Sequence, residues 1–194
     1  MEPSTKTIEI PVRRHRFTVE EYHRMGEAGI FSEDDRVELV EGEIVEMTPI
    51  GWRHAETVTG LTRTLLEIGG SHYDVSVQNP LVLHERGEHL PDLALLRRDR
   101  PRDRLPAAED VLVVVEVADS SLRYDREVKL PLYARAGIPE AWLIDLTADR
   151  AEVYSEPGER GYGKVYRTGR GGKVVSATVE GLSFGLAGIL PEPE

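Results

Sequence analysis

The stretch VLVVVEVADSSLRYDREVK, from Val111 to Lys129, decides the fold of this chain. Its opening run is apolar and rich in β-branched residues, a pattern that predicts a central strand buried on both faces. Glu116 ends this run, where burying a carboxylate is costly unless water, a base or a metal accompanies it. Open α/β sheets often place active residues at such strand ends. A polar turn then leads into a helical pattern that contains Lys129.

Length and composition are those of a globular protein, with 194 residues, 40% hydrophobic and 30% charged. No apolar run reaches the length of about 18 residues expected of a membrane span. The N-terminus lacks the pattern of a signal peptide, so we expect a cytoplasmic protein that does not associate with membranes. The absence of cysteine excludes disulfides and thiolate metal sites. The net charge of −11 argues against general polyanion binding, although a local basic patch beside a carboxylate metal site is compatible with it.

The whole chain, residues 1–194, predicts one α/β domain with a core over about 36–146. Residues 1–16 predict an N-terminal tail or edge strand. Helical patterns cover 18–28, 52–68 and 123–136, and Thr18 with Glu21 predicts a capping box for the first. Strand patterns cover 72–78, 81–84, 93–96 and 141–146, and 36–47 predicts a β-hairpin that turns at Glu41-Gly42. Residues 84–89 predict a solvated hairpin tip, 97–109 a surface loop, and 151–154, 162–167 and 173–177 a closing antiparallel meander.

Two of the predicted helices contain residues of functional interest. The buried stripe of the second helix is predicted from four apolar residues at helical spacing, Val58, Leu61, Leu65 and Ile68. His54 lies one turn earlier on this face, as a core or capping group or as part of a site. In the third helix, Lys129 and Tyr133 share a face, but Pro131 lies between them. Because proline removes a backbone hydrogen bond, this helix either bends at Pro131 or begins later.

Two acids stand at the ends of predicted strands. Asp92 begins one strand and Glu116 ends another, so their carboxylates converge if these strands are neighbours. Oxygen ligands without cysteine suit Mg²⁺ or Mn²⁺, which would polarise a phosphoryl oxygen and lower the pKa of a bound water. Lys129 could orient that water or stabilise the developing negative charge. Each residue also has a structural interpretation: Asp92 as a turn cap, Glu116 as the partner of an arginine, and Lys129 as a surface charge.

An ordered series of motifs extends from about Arg36 to Asp145: VELVEGEIVEM, PDLALL, VVVEVADSS and YDREVKLPLYARAGIPEAWLID. This series resembles the Uma-type family of restriction-endonuclease-like proteins, within the PD-(D/E)XK nuclease superfamily. The resemblance implies an α/β restriction-endonuclease-like core with a mixed β-sheet flanked by helices. An N-terminal hairpin and a C-terminal antiparallel meander would complete it. The family resemblance also implies a homodimer.

The resemblance assigns roles to individual residues. Asp92 and Glu116 match the metal ligands, and the main-chain carbonyl of Val117 matches a third. Glu38 matches an acid near the metal, although its hairpin alternation taken alone allows a surface acid or a group aimed into a cleft.

Three further residues complete the candidate site that the resemblance implies. His54 and Gln78 match site-lining polar positions. The superfamily pattern expects lysine two residues after Glu116, where this chain has Ala118. Lys129, from the following helix, matches the lysine in this family, and Pro131 makes its placement depend on the shape of that helix.

We therefore expect a Mg²⁺- or Mn²⁺-dependent endonuclease that hydrolyses DNA phosphodiester bonds with metal-activated water. Two alternatives belong to other classes. One is a non-catalytic nucleic-acid-binding or assembly protein that retains the nuclease fold, which the acidic net charge favours. The other is a metal-dependent hydrolase of a small phosphate ester. Tight DNA binding with a steep salt dependence would distinguish the nuclease from both alternatives.

Overall fold

The computed structural model describes residues 14–32 and 34–192. The strands are β1 (Val37–Val40), β2 (Glu43–Glu46), β3 (Asp74–Val77), β4 (Leu81–His84), β5 (Gly87–His89), β6 (Leu93–Leu96), β7 (Val111–Ala118), β8 (Glu140–Asp145), β9 (Arg150–Gly158), β10 (Gly161–Gly169), β11 (Lys173–Val175) and β12 (Ser183–Gly185). The helices are α1 (Val19–Glu27), α2 (Trp52–Gly69), α3 (Leu122–Tyr124), a π turn (Asp125–Lys129) and α4 (Leu130–Arg135), with short 3₁₀ turns at Ala108–Asp110 and Leu186–Gly188. The tail or edge strand predicted for residues 1–16 falls largely on residues 1–13, outside the described residues.

A six-stranded mixed sheet in the order β10-β9-β8-β7-β6-β3 forms the centre of the molecule. Strands β7 and β8 are parallel and the other neighbours are antiparallel. Residues Val113, Val115 and Val117 of β7 pack in one cluster with α2, whereas Val114 and Ala118 pack in a second cluster with α4. Both faces of β7 are thus covered by helices, which confirms the predicted α/β class and the central position of this strand.

Helix α2 packs on one face of this sheet. Val58, Leu61 and Leu65 are buried as predicted, and they contact the face formed by Leu93 and Leu95 of β6. The prediction was wrong for Ile68, which is 40% exposed. In the last turn of α2 the buried residue is Gly69, so the neighbouring Ile68 lies on a side of the helix that does not face the sheet.

The predicted hairpin of residues 36–47 is confirmed by strands β1 and β2, which turn through Glu41 and Gly42, both with positive φ. This hairpin belongs to a second sheet, ordered β2-β1-β5-β4. The prediction of a solvated tip at residues 84–89 was wrong, because only the first part of this segment is an exposed turn. Gly87, Glu88 and His89 form β5, which is buried and pairs with β1.

The C-terminal meander is confirmed in part. Strands β9 and β10 form the predicted antiparallel hairpin and extend the central sheet beyond β8. The third predicted strand does not continue this hairpin, since β11 pairs with β12 in a separate two-stranded sheet. Val174 and Phe184 from this small sheet are buried in the same cluster as α2.

The third predicted helix is a continuous helical segment with a change of winding in its middle. Residues Asp125–Lys129 form the π turn, and Pro131 lies in the first turn of α4, directly after it. A wider turn before the proline relieves the clash between the proline ring and the preceding carbonyls. The segment ends at Gly137, which has a positive φ of 80°. Among the described residues, none of the helices has the length and apolar character needed to cross a membrane.

Candidate active site

Antiparallel pairing of β6 and β7 brings the two predicted acids together. Leu93 pairs with Val115, so extending this antiparallel pairing by one residue places Asp92 opposite Glu116. Both residues are buried, and both line a cavity of about 360 Å³. Glu38 from β1 and Lys129 from the π turn also line this cavity. The four residues predicted as catalytic therefore converge at one place in the structure.

The Asp92 carboxylate is held by three neighbours. Its Oδ2 atom accepts a hydrogen bond from the backbone N–H of Val117 at 2.8 Å and lies 3.0 Å from His54 Nε2. Its Oδ1 atom accepts a bond from Gln78 Nε2 at 3.3 Å. His54 and Val117 also line the cavity, whereas Gln78 contacts Asp92 without lining it. The two predicted site-lining residues thus both position Asp92.

Lys129 joins the other two acids in a buried cluster. Its ammonium lies 2.8 Å from Glu38 Oε1 and 3.1 Å from Glu116 Oε1. The hydroxyl of Tyr133 donates a 2.5 Å hydrogen bond to the same Glu116 oxygen. Burial raises the pKa of Tyr133 well above its usual range, so this hydroxyl remains a donor. The other Glu116 oxygen, Oε2, has no hydrogen-bond partner among the described residues.

The cluster is rich in negative charge. Asp125 is a further buried acid, and its Oδ2 atom accepts a 2.6 Å hydrogen bond from the Ser121 hydroxyl. Burial, and secondarily the neighbouring acids, raise the pKa values of Glu116 and Asp125. Burial would lower the pKa of Lys129, but Glu116, Glu38 and Asp125 together raise it above its usual value. One ammonium thus faces several buried carboxyl groups.

Three residues of this cluster were absent from the predicted site. His89 is fully buried, lies 3.6 Å from Glu38 Oε2 and packs edge-on against the Tyr133 ring. Burial, and then the charge of Lys129, lower the pKa of His89 to about 3, so its ring is neutral. Asp125 and Tyr133 lie four residues before and after Lys129, a spacing that could have indicated them. His89 gave no such signal, because its polar neighbours predicted an exposed turn.

The donor atoms fit a divalent cation bound by oxygen. Among residues 14–32 and 34–192, no three Asp, Glu or His side chains form a ready-made metal cluster. The set available here consists of two carboxylates, from Asp92 and Glu116, and one backbone carbonyl. Since the N–H of Val117 points to Asp92, its carbonyl points to the same edge of the strand. Such oxygen ligands, beside carboxyl groups that lack full charge balance, suit Mg²⁺ or Mn²⁺.

This chain is similar to one family model and to solved structures. The family model Uma2, described as "Putative restriction endonuclease", matches residues 19–187. The crystal structure of "a putative nuclease belonging to DUF820" from Anabaena variabilis ATCC 29413 superposes with a TM-score of 0.69 at 13% identity, over 89% of this chain and 97% of that chain. The type IIG restriction endonuclease BpuSI gives a TM-score of 0.38 at 18% identity, over 56% of this chain and 12% of that chain. A search of curated proteins found no match.

Proposed function

Because this chain belongs to the Uma2 family, described as "Putative restriction endonuclease", we propose that it is a metal-dependent endonuclease that hydrolyses phosphodiester bonds in DNA. The main supporting observation is the buried cluster at the ends of β6 and β7. There, Glu38 and Glu116 contact a single lysine, Lys129, and Asp92 lines the same cavity. A cation and a phosphate group can meet in such a site.

In this proposal, Asp92, Glu116 and the carbonyl of Val117 hold Mg²⁺ or Mn²⁺. The bound cation supplies a Lewis acid that polarises a phosphoryl oxygen and lowers the pKa of water. His54 fixes the orientation of Asp92 through its 3.0 Å contact. Tyr133 and Lys129 fix Glu116 Oε1, which leaves Oε2 available to the cation.

The remaining groups complete the site around the reacting phosphate. Lys129 places a positive charge at the cavity wall, where it stabilises negative charge that develops on the phosphate oxygens. Glu38 Oε1 is occupied by Lys129 and by the N–H of Leu90, whereas Oε2 is buried 3.6 Å from His89 Nδ1. Glu38 therefore assists by holding the Lys129 ammonium at the cavity wall.

A second candidate substrate is suggested by the size of the cavity. Its volume of about 360 Å³ falls within the range of pockets that enclose small molecules. The cluster could therefore act on a small phosphate ester, and the net charge of −11 does not favour long polyanions. The same assay distinguishes the two substrates, since a generic aryl phosphate ester can be included beside DNA.

The test is cleavage of supercoiled and single-stranded DNA at low salt with Mg²⁺ or Mn²⁺. We expect the wild type to cut DNA, and Asp92→Asn and Lys129→Ala to lose at least about 100-fold in rate, as when a single transition-state contact is removed. Two matched controls should keep full activity: Glu127→Gln, an exposed acid of the same π turn, and Lys164→Ala, an exposed lysine on β10. Hydrolysis of the phosphate ester with intact DNA would contradict the nuclease proposal.

A further inference from the structure

A tryptophan lies exposed beside the candidate active site. The chain has two tryptophans. Trp142 is fully buried in β8, whereas Trp52, the first residue of α2, is 58% exposed. Ile50, two residues earlier, is 41% exposed and lines the cavity, as do Gly51 and His54. Trp52 is thus flanked on both sides by cavity-lining residues.

The packing of α2 on the central sheet does not explain why a tryptophan occupies position 52. The stripe of α2 that packs on the sheet begins with Thr57 and Val58, more than one turn further along the helix. What distinguishes Trp52 from the other exposed apolar residues is its position, next to the cavity-lining Ile50 and Gly51, where a large aromatic ring is available to a ligand bound in the cavity.

Side chains of both charges lie at the cavity and at the start of α2. Arg36 lines the cavity and forms no ion pair with any described residue. Asp119 lines it as well, with its carboxylate beside Gly51. The first turn of α2 contains no acidic side chain, and Arg53, adjacent to Trp52, contacts Asp149 at 3.3 Å. Arg36 and Arg53 are thus the cations that a phosphate group bound at this cavity could contact.

We propose that Trp52 stacks on an unpaired nucleobase next to the phosphate in the candidate site. This inference rests on the proposed nuclease function and extends it to a substrate class. Every nucleobase has a π face, so stacking does not require a particular sequence, and it gives affinity without the many cationic contacts that this acidic chain lacks. A base inside a duplex already stacks on its neighbours. The protein therefore prefers single-stranded DNA, or duplexes with a bulged or frayed base at the cut.

The test is binding of fluorescein-labelled oligonucleotides in the presence of Ca²⁺, a cation that takes the same oxygen ligands. We expect Trp52→Ala to weaken single-strand binding by about 5- to 100-fold, and Trp52→Phe to weaken it less, because Phe keeps a stacking ring. A fully paired duplex should bind more weakly than the single strand and be less affected by Trp52→Ala. Leu66→Ala is the matched control, since Leu66 is 59% exposed on the same helix and does not line this cavity.

Tryptophan fluorescence gives a second, direct measurement. Because Trp142 is buried, a stacked base should quench mainly the emission of Trp52. Equal affinity of wild type and Trp52→Ala for the single strand, with active cleavage in both, would overturn the stacking inference and leave the nuclease proposal intact. A Trp52→Ala variant that changes oligomeric state instead would also overturn it, by assigning Trp52 to an interface between copies. If the wild type binds no oligonucleotide, the proposed function and the inference fail together.

Discussion

Lys129 supplies positive charge between two buried carboxyl groups of the candidate site. Its ammonium contacts Glu38 and Glu116 within 3.1 Å, and the side chain is 4% exposed. A compact ammonium on a flexible stem can bridge two carboxylates on different strands, whereas a planar guanidinium prefers a paired, bidentate contact with one. This geometry explains why position 129 is a lysine, although most of the cationic residues in this chain are arginines.

Replacing Lys129 tests this charge balance. Burial raises the pKa of Glu116 and the ammonium opposes that rise, so Lys129→Met should raise it further. A carboxyl group whose pKa is raised in the folded state stabilises the fold below its unfolded pKa, and that stability is lost as the pH rises through the folded pKa. In EDTA, we expect Lys129→Met to lower the free energy of unfolding by about 3–5 kcal/mol at pH 8 and by less at pH 5.

Urea unfolding at the two pH values measures this difference. Lys164→Met provides the control, because Lys164 is exposed on β10 and should show little change at either pH. Equal destabilisation by Lys129→Met at pH 5 and pH 8 would show that packing of the lysine stem matters and that the charge does not.

The sequence predicted only part of the site at this scale. Asp92 and Glu116 could be predicted because acids at strand ends of a hydrophobic sheet are conspicuous, and β6 and β7 proved to be neighbours. His89 could not, because its burial depends on the pairing of β5 with β1, which lies some fifty residues earlier in the chain. The local polarity of the segment gave the opposite indication.

Helix α2 positions His54, and its packing on the central sheet is the main determinant of that placement. Three residues of the predicted stripe are buried and the fourth, Ile68, is not. We expect Leu61→Ala to lower the free energy of unfolding by about 2–5 kcal/mol, since it leaves a cavity against β6. Ile68→Ala should change it by less than about 0.5 kcal/mol. Denaturant titration of both variants checks this, and a large effect at Ile68 would place it in a contact that the structure does not contain.

Predictions for whole elements failed where tertiary pairing overrides local pattern. The capping box of α1, with Thr18 and Glu21, was predicted correctly because its residues are close in sequence and bond each other. Strand β11 was predicted but assigned to the wrong partner, since a strand pattern does not specify what it pairs with. The sequence predicted a bend at Pro131 or a later start of this helix, whereas the structure has a π turn directly before Pro131 within a continuous helical segment.

At the scale of the whole molecule, the net charge of −11 limits how the proposed DNA substrate can be bound. Each phosphate neutralised by a cation releases counterions and steepens the dependence of affinity on salt. Arg36, which lines the cavity, is a candidate for such a contact. We expect Arg36→Ala to reduce the slope of log K against log salt by about one, with Lys164→Ala as the control. An unchanged slope would exclude Arg36 from phosphate binding.

The fold of most of this chain is similar to that of a putative nuclease of DUF820. The DUF820 structure from Anabaena variabilis covers most of both chains at 13% identity, so it shows the fold alone. The organisation of residues 1–194 as one domain, and the homodimer implied by the family resemblance, stay predictions. The functional account therefore depends on the site itself, in particular on whether Asp92 and Glu116 bind a cation.

The most direct measurement is titration of the wild-type protein with Mn²⁺ in a calorimeter, because it requires no knowledge of the DNA substrate. We predict one Mn²⁺ bound per chain, with binding lost in Asp92→Asn and retained in Glu127→Gln, whose carboxylate is exposed on the same π turn as Lys129. No binding by the wild type, or equal binding by wild type and Asp92→Asn, would contradict the account and make the buried carboxylates structural.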